Sequence, residues 1–167
     1  MKLRRRVIML AVLSATSCLA YAAPFHSEAG RFSIAFPAPP LRDQVSIDTP
    51  VGSRESTIYS VNLKSRAFFV TYYDVPKGSE HSNAILLSAE RDRGLKNARC
   101  VLVTENRVTI HGYTGLESIA DQTAGGNRVR ARHVIIGHRL YSLLAIGPKD
   151  KAMSDASATF LRSFTSP

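Results

Sequence analysis

The chain contains no tryptophan, three methionines and only two cysteines in 167 residues. Cys18 lies in an apolar run near the N-terminus, and Cys100 lies far from it. If that N-terminal run is removed, no internal disulfide can form, so the fold must be stabilised by apolar burial. We expect Cys100, within RCVLV, to be a small buried apolar residue rather than a reactive thiol.

Motifs that carry catalytic chemistry are also missing. The sequence has no G-x-S-x-G, and its AGGN stretch lacks the flanking strand, helix and lysine of a phosphate-binding loop. The five histidines have no pair at the spacing of a zinc helix or zinc knuckle. We therefore predict no catalytic, metal-binding or cofactor-binding residue. A small exported enzyme without a recognisable motif is kept as an alternative.

The first 22 residues differ in composition from the rest of the chain. A basic start, MKLRRR, precedes VIMLAVLSATSCLA and the small residues Ala20 and Ala22. An apolar run of about 14 residues falls short of the roughly 20 that span a membrane. The pattern predicts a cleaved secretory signal over 1–22, cut after Ala22, and a mature domain over 23–167 in the periplasm or outside the cell. A lipid anchor on Cys18 is disfavoured, because Ala15 stands where lipoprotein signals carry a large aliphatic residue.

The net charge of the chain depends strongly on this signal. It is +9 over the whole sequence, and residues 1–22 hold four of the 22 basic residues and none of the 13 acidic ones. The mature part therefore carries about +5, which favours polyanionic neighbours such as anionic lipid or envelope polysaccharide. Nucleic acid is not an expected partner, since no aromatic residue lies between Gly126 and Arg139 to stack on bases.

Period-two polarity beginning at Arg31 predicts the first group of strands. Phe32, Ile34 and Phe36 alternate with polar or small residues, and strands near 45–47 and 58–63 follow. The stretch AFFVTYYDV is apolar on both faces, which predicts a strand in the middle of a sheet that is covered on each side.

Helical spacing appears twice in the remainder of the chain. Residues 82–98 are predicted to form a helix with Ser82 as N-cap, which buries Ile85, Leu86 and Leu87. Strands follow over 100–113, 115–121, 127–136 and 139–146, and PKDKAMSDASATFLRSF predicts a closing helix. Short connections favour a single α+β domain with a mostly antiparallel sheet of about seven or eight strands packed with two helices.

GNRVRARHVII places Arg128, Arg130 and Arg132 on one face of a strand, which we name the arginine ladder. One hairpin register would put Asp121 opposite Arg130, Ile119 opposite Arg132 and Glu117 opposite Val134. The ladder is interpreted either as a solvated face, partly neutralised within the sheet, or as an anion- or partner-binding face. In the second interpretation Arg139 extends it.

RFSIAFPAPP, AILLSAERDRGL, RLYSLLAIGP and ATFLRSF together resemble a group of exported bacterial domains related in fold to the photosystem II protein PsbP and the envelope protein DcrB. The resemblance extends from Phe32 to Phe164 and includes Tyr141, Phe160 and Leu161. It implies an antiparallel sheet packed with helices. It also implies an accessory or binding module of membrane complexes, and it transfers no site residue.

These observations support a leading hypothesis and two alternatives. The leading hypothesis is an exported non-catalytic accessory domain that binds a protein or another envelope component. The first alternative is a carrier of anionic lipid or a small molecule that uses the arginine ladder. The second is the small enzyme already described.

Overall fold

A computed structural model of the chain describes residues 24–49, 51–77 and 83–167. The predicted signal over 1–22, its cleavage after Ala22 and the lipidation at Cys18 therefore lie outside the described residues. Within the described ranges the elements are β1 (Phe25–Ser27), β2 (Phe32–Ile34), β3 (Leu41–Thr49), β4 (Gly52–Leu63), β5 (Arg66–Asp74), α1 (Asn83–Ala98), β6 (Cys100–Ile110), β7 (Tyr113–Gln122), β8 (Asn127–Ile136), β9 (Arg139–Pro148), α2 (Lys149–Ala152) and α3 (Asp155–Arg162).

Seven of these strands form one sheet in the order β3-β4-β5-β9-β8-β7-β6. All six neighbouring pairs are antiparallel. Five of the pairs join strands that follow one another along the chain, as hairpin connections require. The sixth pair, β5 with β9, closes after the chain has passed through α1, β6, β7 and β8. The prediction of a single, mostly antiparallel α+β domain is confirmed.

Two hydrophobic clusters cover the two faces of this sheet. The larger cluster contains Phe160 and Phe164 from the closing segment, and the smaller contains Leu86 from α1. Successive residues of a strand point to opposite faces, so in β5 Tyr72 joins the first cluster and Tyr73 joins the second. The predicted strand with a cover on each face is therefore confirmed.

The first predicted strand lies outside the main sheet. Phe32, Ile34 and Phe36 are buried, as their alternation predicts, but β2 pairs with β1 in a separate two-stranded sheet. The sequence analysis did not predict β1. A period of two reports which side of a strand is buried and carries no information about the strand it pairs with.

The α1 helix occupies the predicted range, and the proposed N-cap Ser82 lies outside the described residues. The expectation that Ile85 is buried is wrong, because this side chain is 68% exposed whereas Leu86 and Leu87 are 3% and 4% exposed. The buried face of the helix is a narrow stripe formed by Leu86, Leu87 and Glu90, and Ile85 projects to one side of it.

The closing helix is divided into two. Pro148 precedes α2, as predicted, but Ser154 interrupts the helix and accepts a hydrogen bond from the backbone N of Ser157 at 3.5 Å. Serine is a favoured N-cap because its hydroxyl satisfies a free backbone N–H of the first turn. Asp155 and Arg162 then stand at the helix ends that suit their charges.

Adjacent residues of α1 provide a matched test of this packing. Leu86→Ala should lower the free energy of unfolding by about 2–5 kcal/mol, since it removes buried methyl groups and leaves a cavity. Ile85→Ala should change the same quantity by about 0.5 kcal/mol or less, as expected of an exposed site. Urea denaturation of both variants measures the difference. Equal losses would contradict the stripe described above.

Candidate functional site

The arginine ladder lies on β8 as predicted, but its hairpin register differs from the one hypothesised. Asp121 pairs with Arg128, Ile119 with Arg130 and Glu117 with Arg132, so the partners are shifted by two residues towards the turn. Gly125 and Gly126 have φ values of 85° and 68°. Glycine adopts such positive values without steric strain, which allows a short turn and brings the paired strands closer to it.

This register places a carboxylate within reach of every arginine of the ladder. Arg128 donates to both Asp121 oxygens at 2.6 and 3.0 Å, Arg130 donates to Glu117 at 3.0 Å, and Arg132 donates to the other Glu117 oxygen. Hydrogen bonds from Arg128 lower the pKa of Asp121 to about 2. Burial raises the pKa of Glu117, but hydrogen bonds from Arg132 and Arg130 outweigh it and hold the pKa below its usual range. Every arginine of the ladder is therefore engaged within the sheet, with Glu117 shared by Arg130 and Arg132, and Asp121 shared by Arg128 and Lys149.

Arg139 lies apart from the ladder, opposite Ile136 at the other end of the β8–β9 pair. It donates to both oxygens of Asp74, at 2.6 and 3.0 Å. Its guanidinium carbon also stands 4.6 Å from the ring centre of Tyr72, a favourable cation–π distance. Sequence proximity suggested that Arg139 extends the ladder, whereas the hairpin turns it towards the opposite end of the sheet.

That end of the sheet contains a cavity of about 560 Å³, which we name the basic cleft. The cleft lies where β5 ends and β9 begins. Its charged and aromatic lining includes Arg31, Asp74, Lys77, Tyr113, His138 and Arg139. Asp74 is the one Asp or Glu among the described residues that line it, and it is engaged with Arg139. Among the described side chains that line the cleft, cations therefore outnumber carboxylates.

Arg31 is held at the cleft by an unusual backbone conformation. Its φ is 54°, a left-handed value that costs a residue with a side chain roughly 1 kcal/mol or more. Its backbone N donates to the backbone carbonyl O of Glu28 at 3.0 Å, and its own carbonyl O accepts from the Ser166 hydroxyl at 2.8 Å. Glycine would adopt this backbone conformation without strain, whereas the residue at this position is an arginine.

A second cavity, of about 500 Å³, adjoins the start of α1, and Tyr113 lines both cavities. Tyr113 directly follows a two-residue turn, in which His111 and Gly112 have φ values of 49° and 82°. His111 Nε2 lies 2.8 Å from the carbonyl O of Phe164, which anchors the turn to the closing segment. Tyr113 is 45% exposed, so part of its side chain is open to solvent.

A buried polar cluster beneath α1 was missed by the sequence analysis. Glu90 accepts hydrogen bonds from Arg93, Ser142 and Tyr73, and Ser142 Oγ lies 2.9 Å from His133 Nδ1. Burial lowers the pKa of His133 to about 4 and, together with Glu90, raises the pKa of Tyr73. A usable signal was present, because Glu90 follows Leu86 by four residues and so falls on the apolar stripe of the helix.

This cluster contains a serine, a histidine and a glutamate but does not form a catalytic triad. Ser142 lies between the other two, whereas in a triad the histidine lies between nucleophile and acid. The three residues are 2%, 4% and 2% exposed, so a substrate does not reach the hydroxyl. Its role is to satisfy polar groups between α1 and the sheet.

Cys100 is half-buried, and its Sγ lies 3.5 Å from the carbonyl O of Ala98. Burial and the charge of Asp121 raise the pKa of its thiol, which is the opposite of an activated cysteine. Among the described residues, no three His, Cys, Asp or Glu side chains come together as a metal-binding group. Within the same ranges, no helix combines the length and apolar character needed to cross a bilayer.

Comparison with known proteins gives a fold and no family. No protein-family model and no curated protein matches the sequence. The solution structure of cyanobacterial PsbP (CyanoP) from Synechocystis sp. PCC 6803 superposes with a TM-score of 0.62, covering 87% of this chain and 92% of that one at 11% identity. The fold is PsbP-like. The resemblance seen in the sequence is thereby confirmed for the fold, while the DcrB grouping and export stay predictions.

A crystal structure from Bacteroides thetaiotaomicron VPI-5482 is also similar, at 11% identity and a TM-score of 0.43. It covers 88% of this chain, which spans about half the length of that protein (49%). Neither of these structures transfers a site residue to the PsbP-like domain described here.

The buried histidine predicts how stability depends on pH. His133 has a pKa of about 4 in the folded chain against about 6.5 when unfolded. The unfolded chain therefore binds the proton first, and folding stability should fall as the pH drops from 6.5 to 4, by up to roughly 3 kcal/mol. Urea denaturation at intervals across this window measures the loss.

His133→Asn provides the control, because an amide can keep a hydrogen bond to Ser142 without titrating. The variant should lose most of the pH dependence between 6.5 and 4. If stability falls with pH as steeply in the variant as in the wild type, groups other than His133 cause the pH dependence.

Proposed function

We propose that the chain is an exported, non-catalytic binding domain and that its basic cleft receives an acidic segment of a cell-envelope protein. The observation that carries the proposal is the cleft itself, where Arg31, Lys77 and Arg139 line one open cavity. A carboxylate of the partner would meet these three cations. Within the described part of the chain, only Arg139 among them is paired with an acidic side chain, that of Asp74.

The side chains at the cleft suit a protein partner. Arginine and tyrosine are enriched in protein interfaces because each combines a large contact area with hydrogen-bonding groups. Tyr113 is half-exposed at the boundary between the two cavities. Arg139 is already oriented by Asp74 and the Tyr72 ring, so less conformational entropy is lost when a partner binds.

Export is the second part of the proposal. It is supported by the basic start, the short apolar run and the small residues around Ala22. The sequence also resembles PsbP-type domains, which are accessory modules of membrane complexes, and that role agrees with binding in an envelope. The arginine ladder is not assigned to the partner, because Glu117 and Asp121 already engage it.

A site-specific crosslink tests the proposal. A photo-reactive phenylalanine analogue replaces Tyr113 in one variant and Lys64, exposed in the turn after β4 at the opposite end of the sheet, in the other. Irradiation of intact cells of the source organism should give one dominant protein adduct from position 113 only. Mass spectrometry of the adduct identifies the partner, and the contacted segment should contain Asp or Glu.

Charge reversal then tests the cleft with that partner in purified form. Arg31→Glu and Lys77→Glu should each weaken binding by roughly tenfold or more, since each sets a carboxylate against an acidic segment. Arg42→Glu on the exposed strand β3 is the matched control and should leave the affinity unchanged. Equal affinities of all three variants for the partner would refute the proposal that the partner binds in the basic cleft. Binding to anionic vesicles that depends on Arg31 and Lys77, without a protein adduct, would refute the protein partner.

A further inference from the structure

The edge strand β6 is exposed along almost its whole length. Every residue from Val101 to Arg107 is exposed, including three consecutive aliphatic side chains, at 61%, 37% and 49% for Val101, Leu102 and Val103. An edge strand also presents unpaired backbone N–H and C=O groups, which pair readily with another strand. Consecutive exposed aliphatic residues on such an edge mark an interaction surface.

The hairpin fixes which backbone groups of β6 face outward. Its turn has two residues, so Ile110 and Tyr113 form the pair that closes it. In an antiparallel ladder, residues that bond to the neighbouring strand alternate with residues that do not. Ile110, Val108 and Asn106 therefore direct their backbone groups towards β7. Thr109, Arg107 and Glu105 direct theirs away from the sheet.

The sequence of β6 is complementary to itself in one antiparallel register. With a two-fold axis at Asn106, Glu105 of each copy lies opposite Arg107 of the other. Both of these residues present outward backbone groups, so the two strands can exchange hydrogen bonds in this register. The only register shift in the β6–β7 pairing lies between Leu102 and Thr104, outside the stretch Thr104–Val108 around the axis.

The side chains of this register meet on one face. Glu105 is paired with Arg91 of α1, and Glu105 and Arg107 line the same cavity beside that helix. Arg107 of a second copy would place a second guanidinium on Glu105, which Arg91 already orients. Because the strands run antiparallel, Val101–Val103 of one copy would lie beside the hairpin end of the other, where they lose exposure to water.

We propose that β6 pairs antiparallel with β6 of a second copy, about a two-fold axis at Asn106, and so extends the two sheets into one. The partner is a second copy because the pattern that β6 requires, a cation opposite Glu105 and an anion opposite Arg107, is present in β6 itself. This pairing does not depend on the basic cleft.

The opposite edge strand, β3, lacks the consecutive exposed aliphatic residues that β6 has. Arg42 and Asp48 of β3 could also pair across a two-fold axis, but its large exposed apolar residues, Leu41 and Val45, are separated by polar ones. β3 therefore has charge complementarity without a run of consecutive exposed aliphatic residues, and it serves as the control edge.

Sedimentation velocity over a range of concentrations tests the proposal on the purified chain. The wild type should show a monomer–dimer equilibrium. Arg107→Glu puts a carboxylate against Glu105 of the second copy, and Glu105→Lys puts an ammonium against Arg107, so each variant should raise the dimer dissociation constant by roughly tenfold or more. Circular dichroism confirms that each variant is folded, since Glu105→Lys also breaks the contact with Arg91.

Mixing the two variants gives the decisive measurement. In a mixed dimer Lys at 105 of one copy meets Glu at 107 of the other, and Arg107 meets Glu105, so both pairs are complementary again. The mixture should recover the wild-type dimer, whereas Arg42→Glu alone should leave it unchanged. A monomeric wild type at every concentration, variants that dimerise normally, or a dimer disrupted by Arg42→Glu would each overturn the proposal.

Discussion

The central strands of the seven-stranded sheet are buried on both faces, and the rest of the structure depends on this constraint. Val134 and Tyr141 belong to the cluster packed with α3, while their neighbours Ile135 and Leu140 belong to the cluster under α1. Each such side chain contributes roughly 1.5–3 kcal/mol when it leaves water. Cys100 forms no disulfide, so the described domain depends on two helical covers rather than on a covalent bond.

The cover on the α1 face explains the buried polar cluster. The stripe that α1 turns to the sheet includes Glu90, and a buried carboxylate is tolerated only when charges and hydrogen bonds surround it. Arg93 and Ser142 supply these partners. Strongly shifted pKa values often mark functional sites, but here the shifts of His133 and Tyr73 follow from burial. Neither His133 nor Tyr73 lines the basic cleft or the second cavity beside α1.

The sequence predicted those features that depend on local periodicity. Alternation located the strands, and apolar spacing located α1 to within a residue. Prediction from the sequence failed where contacts with distant residues decide which side chains are buried. Ile85 is apolar but lies beside the buried stripe of α1, and Glu90 is charged but lies on that stripe. The separate β1–β2 sheet was likewise hidden, because β2 has the alternation of any half-buried strand. The basic cleft joins Arg31 to Lys77 and Arg139, residues that only the folded chain brings together.

The contrast between the arginine ladder and the basic cleft shows why counting charges does not locate a site. Both are rich in arginine, but in the ladder the register places Glu117 opposite Arg132 and Asp121 opposite Arg128. In the hypothesised register Arg132 faced Ile119 and would have been left without a carboxylate directly opposite. A shift of two residues, which depends on the turn at Gly125, therefore leaves every arginine of the ladder engaged by Asp121 or Glu117. At the cleft, the described lining residues include one Asp or Glu, Asp74, which engages Arg139 and not Arg31 or Lys77, and for this reason the proposed partner is assigned to the cleft.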